Sequence, residues 1–163
     1  MIHTHYDKVG NPIINERTNY GKKLKRAAEE WRTTFDSMPY GVMLLDREFN
    51  IIKTNDYISE LTGIPIKELI GKKCYKVIHG TNKPIEVCPL LKTKKVSGTE
   101  SCEYYDARFN KHFKGYVTSV LDKEGLFQRY IISHIDITES KESEKKLIDS
   151  RDAFLNMLKD RDL

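Results

Sequence analysis

Cys74, His79 and Cys88 are the side chains whose types and spacing first suggest chemistry: two thiols and an imidazole within 15 positions, around a loop and a helix start. Thiolate and imidazole are the donors that zinc and related metals take. The spacing lacks the tight pairing of a zinc finger, and the sequence offers no fourth ligand. The competing reading is two buried cysteines used as small hydrophobes beside a loop histidine. Metal or redox sensing through these three residues therefore stands as an alternative, and metal is not the leading expectation. Catalysis has less to draw on. The chain has no glycine-rich phosphate loop, no histidine-metal helix, and no Ser or Cys nucleophile with an identifiable base partner. Binding is expected, and an enzyme is not.

Composition bounds the rest. The chain has 163 residues, 39% of them hydrophobic and 32% charged, which suits one globular domain with extensions. Its 28 basic and 24 acidic residues leave a formal charge of +4. The basic run Lys22-Lys23-Leu24-Lys25-Arg26 reads as a solvated helix face, so no nucleic-acid partner is expected. No stretch approaches the ~20 apolar residues that span a bilayer. The odd count of cysteines, Cys74, Cys88 and Cys102, argues for a reducing, cytoplasmic setting.

Residues 1–21 show no sustained periodicity and read as a flexible lead-in or the remnant of an upstream segment. Over residues 22–38, Leu24, Ala28, Trp31 and Phe35 form the stripe of an amphipathic helix, with Pro39 ending it. Gly41–Leu45 and Phe49–Lys53 predict a hairpin. Asn55 is placed to cap a helix through Tyr57, Ile58 and Leu61 that Gly63 ends. Pro65 opens a short helix stopped by Gly71. Cys74–Ile78 is a brief apolar segment, and Pro89 starts a helix reaching Val96. Three long strands follow: Glu100–Phe109, Phe113–Leu121 and Leu126–Thr138. From Thr138 charge dominates, with Leu147 and Phe154, Ile148 and Leu155, and Arg151 and Leu158 each seven apart, an imperfect heptad seam. Such an order predicts an α+β fold: a five-stranded antiparallel sheet, short helices on one face and a cavity between them.

These joints carry a family resemblance. Phe35-x-Ser37-Met38-Pro39-x-Gly41-Val42, Leu45-Asp46, Thr54-Asn55-x-x-Ile58-x-x-Leu61-Thr62-Gly63, Glu68-Leu69-Ile70-Gly71-Lys72 and Asp136-Ile137-Thr138-Glu139 occur in an order and spacing that resembles the PAS family of sensory domains. The resemblance runs from about Ala27 to Lys146. It implies a PAS sensor domain over 39–138, a C-terminal signalling helix over 139–163, and pairing with a second copy through the flanking helices. It also implies an output domain in the same parent chain, of histidine kinase or cyclic-dinucleotide phosphodiesterase type, in a bacterial signalling protein. Asp136 and Thr138 match the family's exit motif, a polar latch from strand to helix; plain N-capping is the competing role.

Cys74, Tyr75, His79, Cys88 and Tyr104 are the residues expected to face a small ligand or cofactor. Tyr105, Phe109, Phe113 and Tyr116 share the aromatic strands and are more often core or cross-strand pairs. The stretch from Cys74 to Pro89 is similar to a subgroup with a further cysteine three residues before Cys88, where Ile85 stands here; the Cys-x-x-Cys pair is thus absent. Flavin-binding light sensors of the family have their reactive cysteine near Cys74, but Tyr75-Lys76-Val77-Ile78 departs from their motif, and His134 stands where they have a glutamine. A haem would take His79 as axial ligand, and no Cys-x-x-Cys-His exists. No cofactor is therefore assigned. The main alternative is a ligand-free dimerisation module.

Overall fold

The computed structural model describes residues 16–91 and 98–161. They divide into two units, one ending at Ser37 and the other beginning at Met38. The first holds helix α1 (Glu16–Asp36). It begins at Glu16, inside the stretch read as a lead-in. The turns before Leu24 are polar apart from Tyr20, so they carry no periodic signal. Ion pairs at i,i+4 link Arg26 to Glu30 (2.9 Å) and Arg32 to Asp36 (3.5 Å). Trp31 stacks on Phe35 with ring centroids 4.9 Å apart.

The second unit is built on a five-stranded sheet of order β2-β1-β5-β4-β3. Its strands are β1 (Gly41–Leu45), β2 (Ile51–Thr54), β3 (Thr99–Asp106), β4 (Lys111–Leu121) and β5 (Phe127–Asp136). All paired neighbours are antiparallel. Between β2 and β3 come α2 (Asp56–Thr62), α3 (Ile66–Leu69), α4 (Cys74–Ile78) and a 3-10 turn at Pro89–Leu91. Helix α5 (Thr138–Arg161) follows β5 directly. The fold is the α+β, PAS-like arrangement expected. The continuation of the Pro89 helix to Val96 lies outside the described residues.

Strand alternation decides which residues reach the core. Met43 and Leu45 of β1, Val117 of β4, and Tyr130 and Ile132 of β5 point to one face, where Ile58, Leu69, Val77, Ile78 and Leu90 meet them. Burying each Leu or Ile there contributes roughly 1.5–3 kcal/mol. Two expectations need correction. Cys74–Ile78, read only as an apolar segment, is a helical turn, too short for periodicity to mark. Asn55 does not cap α2 with its side chain. It is fully buried, its Oδ1 accepts the Val42 N–H (3.0 Å), and its Nδ2 donates to the Tyr40 carbonyl (2.9 Å). The amide thus extends the β1 ladder at its start, bridging Tyr40 and Val42 on either side of Gly41. Gly63 does end α2 in the left-handed region, at φ 69°.

Candidate functional site

A small cavity of about 30 Å³ lies between the short helices and the sheet. Cys74, Tyr75, Ile78 and His79 line it from α4 and its end. Cys88 comes from just before the 3-10 turn and Leu90 from within it, and Cys102 and Tyr104 come from β3. Gly115, Val117, Ile132 and His134 complete it from β4 and β5. All five residues expected to face a ligand share this cavity. Sequence reading left out Cys102, Gly115 and the core aliphatics, and met His134 only as a departure from the flavin pattern. The period-two spacing of Tyr130, Ile132 and His134 was the signal that would have turned His134 inward. Of the other strand aromatics, Phe113 is buried and stacks on Tyr104 (5.7 Å between centroids). Tyr105 is exposed on the opposite face, beside His112.

Two polar pairs frame the cavity. His79 Nδ1 lies 3.1 Å from Asp106 Oδ2. Burial outweighs the carboxylate and lowers the His79 pKa, so this contact is a hydrogen bond from a neutral imidazole at neutral pH. Asp106 Oδ1 also accepts the Arg108 N–H, and the Arg108 guanidinium donates to the Val77 and Ile78 carbonyls (3.0 and 2.9 Å). The β3–β4 turn thereby holds the C-terminal carbonyls of α4, the orphan acceptors of any helix end. The second pair is Tyr104 Oη with His134 Nδ1, 2.7 Å apart. His134 is 6% exposed, and its Nε2 is buried without a partner. Burial, with His79 nearby, depresses its pKa to about 3.

No disulfide joins the three cysteines. Burial, reinforced by the neighbouring Cys88, pushes the Cys74 thiol up to about 12, and burial raises Cys88 as well. Neutral thiols in apolar surroundings are poor nucleophiles. Among the described residues no three His, Cys, Asp or Glu side chains stand together as a metal-holding group. A site of ~300 Å³ or more is usual for drug-sized ligands, so the cavity as closed here admits neither haem nor flavin.

Two residues beyond His134, β5 passes into α5 through a compact polar junction. Partial burial opposes ionisation of Asp136, but hydrogen bonds from Lys111 and Thr138 outweigh it and hold the carboxyl below its usual range. Asp136 Oδ1 accepts the Thr138 N–H (3.0 Å), an N-terminal cap. Thr138 Oγ1 turns away from its own helix and accepts the His112 N–H of β4 (2.9 Å), while Ile137 N–H donates to the His112 carbonyl. Capping and latching are both present, divided between the two residues. One turn on, Lys141 reaches Glu103 of β3 at 2.8 Å.

The PAS domain family matches residues 39–139, and the chain belongs to it. The PAS domain of BvgS from Bordetella pertussis superimposes with a TM-score of 0.58 at 20% identity, covering 79% of this chain and 98% of that one. The PAS domain of an HTR-like protein from Haloarcula marismortui gives 0.54 at 13%, covering 74% and 99%. The PAS domain of nitrogen regulation protein NR(II) from Vibrio parahaemolyticus gives 0.52 at 10%, covering 65% and 96%. At these identities the likeness is one of fold. No curated protein sequence matches the chain. PAS domains are sensory modules of signalling proteins, and among the described residues no helix is long and apolar enough to cross a membrane.

Proposed function

We propose that this chain is the input module of a cytoplasmic bacterial signalling protein: it binds a small molecule in the α4–β3–β5 cavity and passes the change through α5. The observation that carries the reading is the double use of β3. Its inward residues Cys102 and Tyr104 form the cavity wall, while Glu103 between them faces outward and holds Lys141 of α5. A ligand that displaces the wall moves the strand to which the exit helix is tied. The module itself does binding and transmission, and any chemistry belongs to an output domain that α5 would join. Leu147, Ile148, Phe154 and Leu155 are exposed along α5 at the spacing a second helix would cover, which supports a homodimer paired there.

The small size of the cavity favours a second reading, a dimerisation module without ligand. Gly115→Ala separates the two. A Cβ there would stand 3.5 Å from Tyr104 and 3.7 Å from Cys102 Sγ, in ordinary contact, and would take up part of the cavity as an occupant does. Amide hydrogen exchange over residues 138–148 is expected to change in this variant with the fold intact. Unchanged exchange there, with altered exchange in β3, would sink the transmission reading and leave the dimerisation module.

A further inference from the structure

His134 Nε2 is the one feature of the cavity that neither packing nor the latch explains. A buried polar atom without a partner bears its whole desolvation penalty, and native interiors keep few of them. The proton on this ring can be placed by counting. Tyr104 is the described partner of Nδ1. If Nδ1–H donated to the phenol oxygen, the Tyr104 O–H and the Nε2 lone pair would both lack partners. If Tyr104 donates, only Nε2–H is left over. The second arrangement strands one group instead of two, and it leaves an unpaired N–H donor on a side chain that lines the cavity.

The rest of the wall says what that donor can meet. Among the described residues, no Asp, Glu, Lys or Arg lines the cavity. Behind His79, the Asp106 carboxylate accepts the Arg108 backbone N–H, and the Arg108 guanidinium is taken up by the α4 carbonyls. Ile78, Leu90, Val117 and Ile132 supply apolar surface. Among these described side chains an anion would find no counter-charge and a cation no carboxylate, so either would forfeit its hydration without return. A cavity of about 30 Å³ has room for a molecule of only a few heavy atoms.

We propose that the cavity takes an uncharged molecule of a few heavy atoms whose oxygen or nitrogen acceptor receives a hydrogen bond from His134 Nε2–H. This rests on the sensor reading above and names its ligand class. A three-atom ligand at the usual ceiling of binding efficiency reaches a Kd no tighter than about 0.5 mM.

Formamide and formate test it, being nearly equal in size and unequal in charge. Long-range nitrogen–proton spectra of the histidine-labelled protein report the tautomer of His134 before any addition and its surroundings after. The proton is expected on Nε2. Formamide is expected to shift that resonance with a millimolar Kd, and formate to bind at least about tenfold more weakly. Tyr104→Phe, which removes the hydroxyl that fixes the tautomer, is expected to move part of the proton to Nδ1 and weaken the formamide response. A proton on Nδ1 in the unaltered protein, formate binding as tightly as formamide, or no response to either probe would each overturn the proposal. Formate preference would leave the sensor reading standing. Absence of any response, joined to unchanged α5 exchange in Gly115→Ala, would remove both.

Discussion

Replacing Asn55 by alanine tests whether a single buried amide fixes the start of the central sheet. The substitution strips the hydrogen bond to the Val42 N–H, which is buried, and the one to the Tyr40 carbonyl, which is partly so. An unsatisfied buried donor costs about 1–3 kcal/mol, and the more accessible carbonyl adds about 0.5–1.5 kcal/mol. The expected loss is therefore about 2–4 kcal/mol, a large share of the 5–15 kcal/mol that holds an ordinary domain. With a urea m-value near 2 kcal/mol/M, the midpoint should fall by about 1–2 M. The transition should be followed by far-ultraviolet circular dichroism, because Trp31, the single tryptophan, sits on α1 outside the sheet unit. Asn55→Asp sharpens the test. If the residue were only a helix cap, aspartate would serve as well as asparagine. As a stitch it keeps the acceptor for Val42, loses the donor to Tyr40 and buries a carboxylate, so it should retain at least half of the alanine loss at pH 7. An aspartate variant as stable as the parent, or an alanine variant within about 0.5 kcal/mol of it, would refute the reasoning.

Other outcomes follow from the same geometry. His134 is held neutral with a pKa near 3, against an unfolded value near 6.5, so the native state binds fewer protons between these limits and stability falls as pH drops through that window. From pH 7 to pH 5 this residue should cost about 2 kcal/mol, read as a shallower pH slope of unfolding in His134→Gln. Gly41→Ala would set a Cβ 2.3 Å from Ile58 Cδ1 in a filled core, and thermal unfolding should show a loss of about 1–3 kcal/mol. Asp136→Ala removes the partner of Lys111 and the cap on Thr138, and hydrogen exchange should rise at residues 138–141 while the sheet stays protected. Ending the chain after Thr138 should leave a folded monomer by sedimentation, since the proposed pairing surface of α5 is gone; a persistent dimer would place the interface elsewhere.

The parts of this fold that were legible in the sequence are those where one local cause dominates. Gly63 ends a helix because only a residue without Cβ takes that φ cheaply, and the long strands announce themselves by aromatic and β-branched runs. Asn55 was misread because its type is equally suited to a cap and to a ladder extension; the choice depends on Val42 and Tyr40, which sequence separates from it. The start of α1 escaped because a helix that is polar all round has no period to detect. For the site, Cys74, Tyr75, His79, Cys88 and Tyr104 were read as facing one ligand, with only Cys74, His79 and Cys88 weighed as metal donors, and all five line one cavity. The Tyr104–His134 bond joins residues 30 positions apart through strand register, which single-sequence patterns do not encode. Cys102 and Gly115, opposite each other in the β3–β4 register, are cavity residues for the same reason.

Period-two alternation gives β3 and β4 a division of labour whose consequence is evolutionary. Cys102, Tyr104, Gly115 and Val117 look inward, while Glu103 looks out and Lys111 sits at the strand end with the exit junction. A substitution that reshapes the cavity therefore falls on different codons from those that grip the helix. On the proposed sensor function, lineages of such a module can diversify the stimulus and keep the output, or retune the output and keep the stimulus, one residue at a time along the same strands.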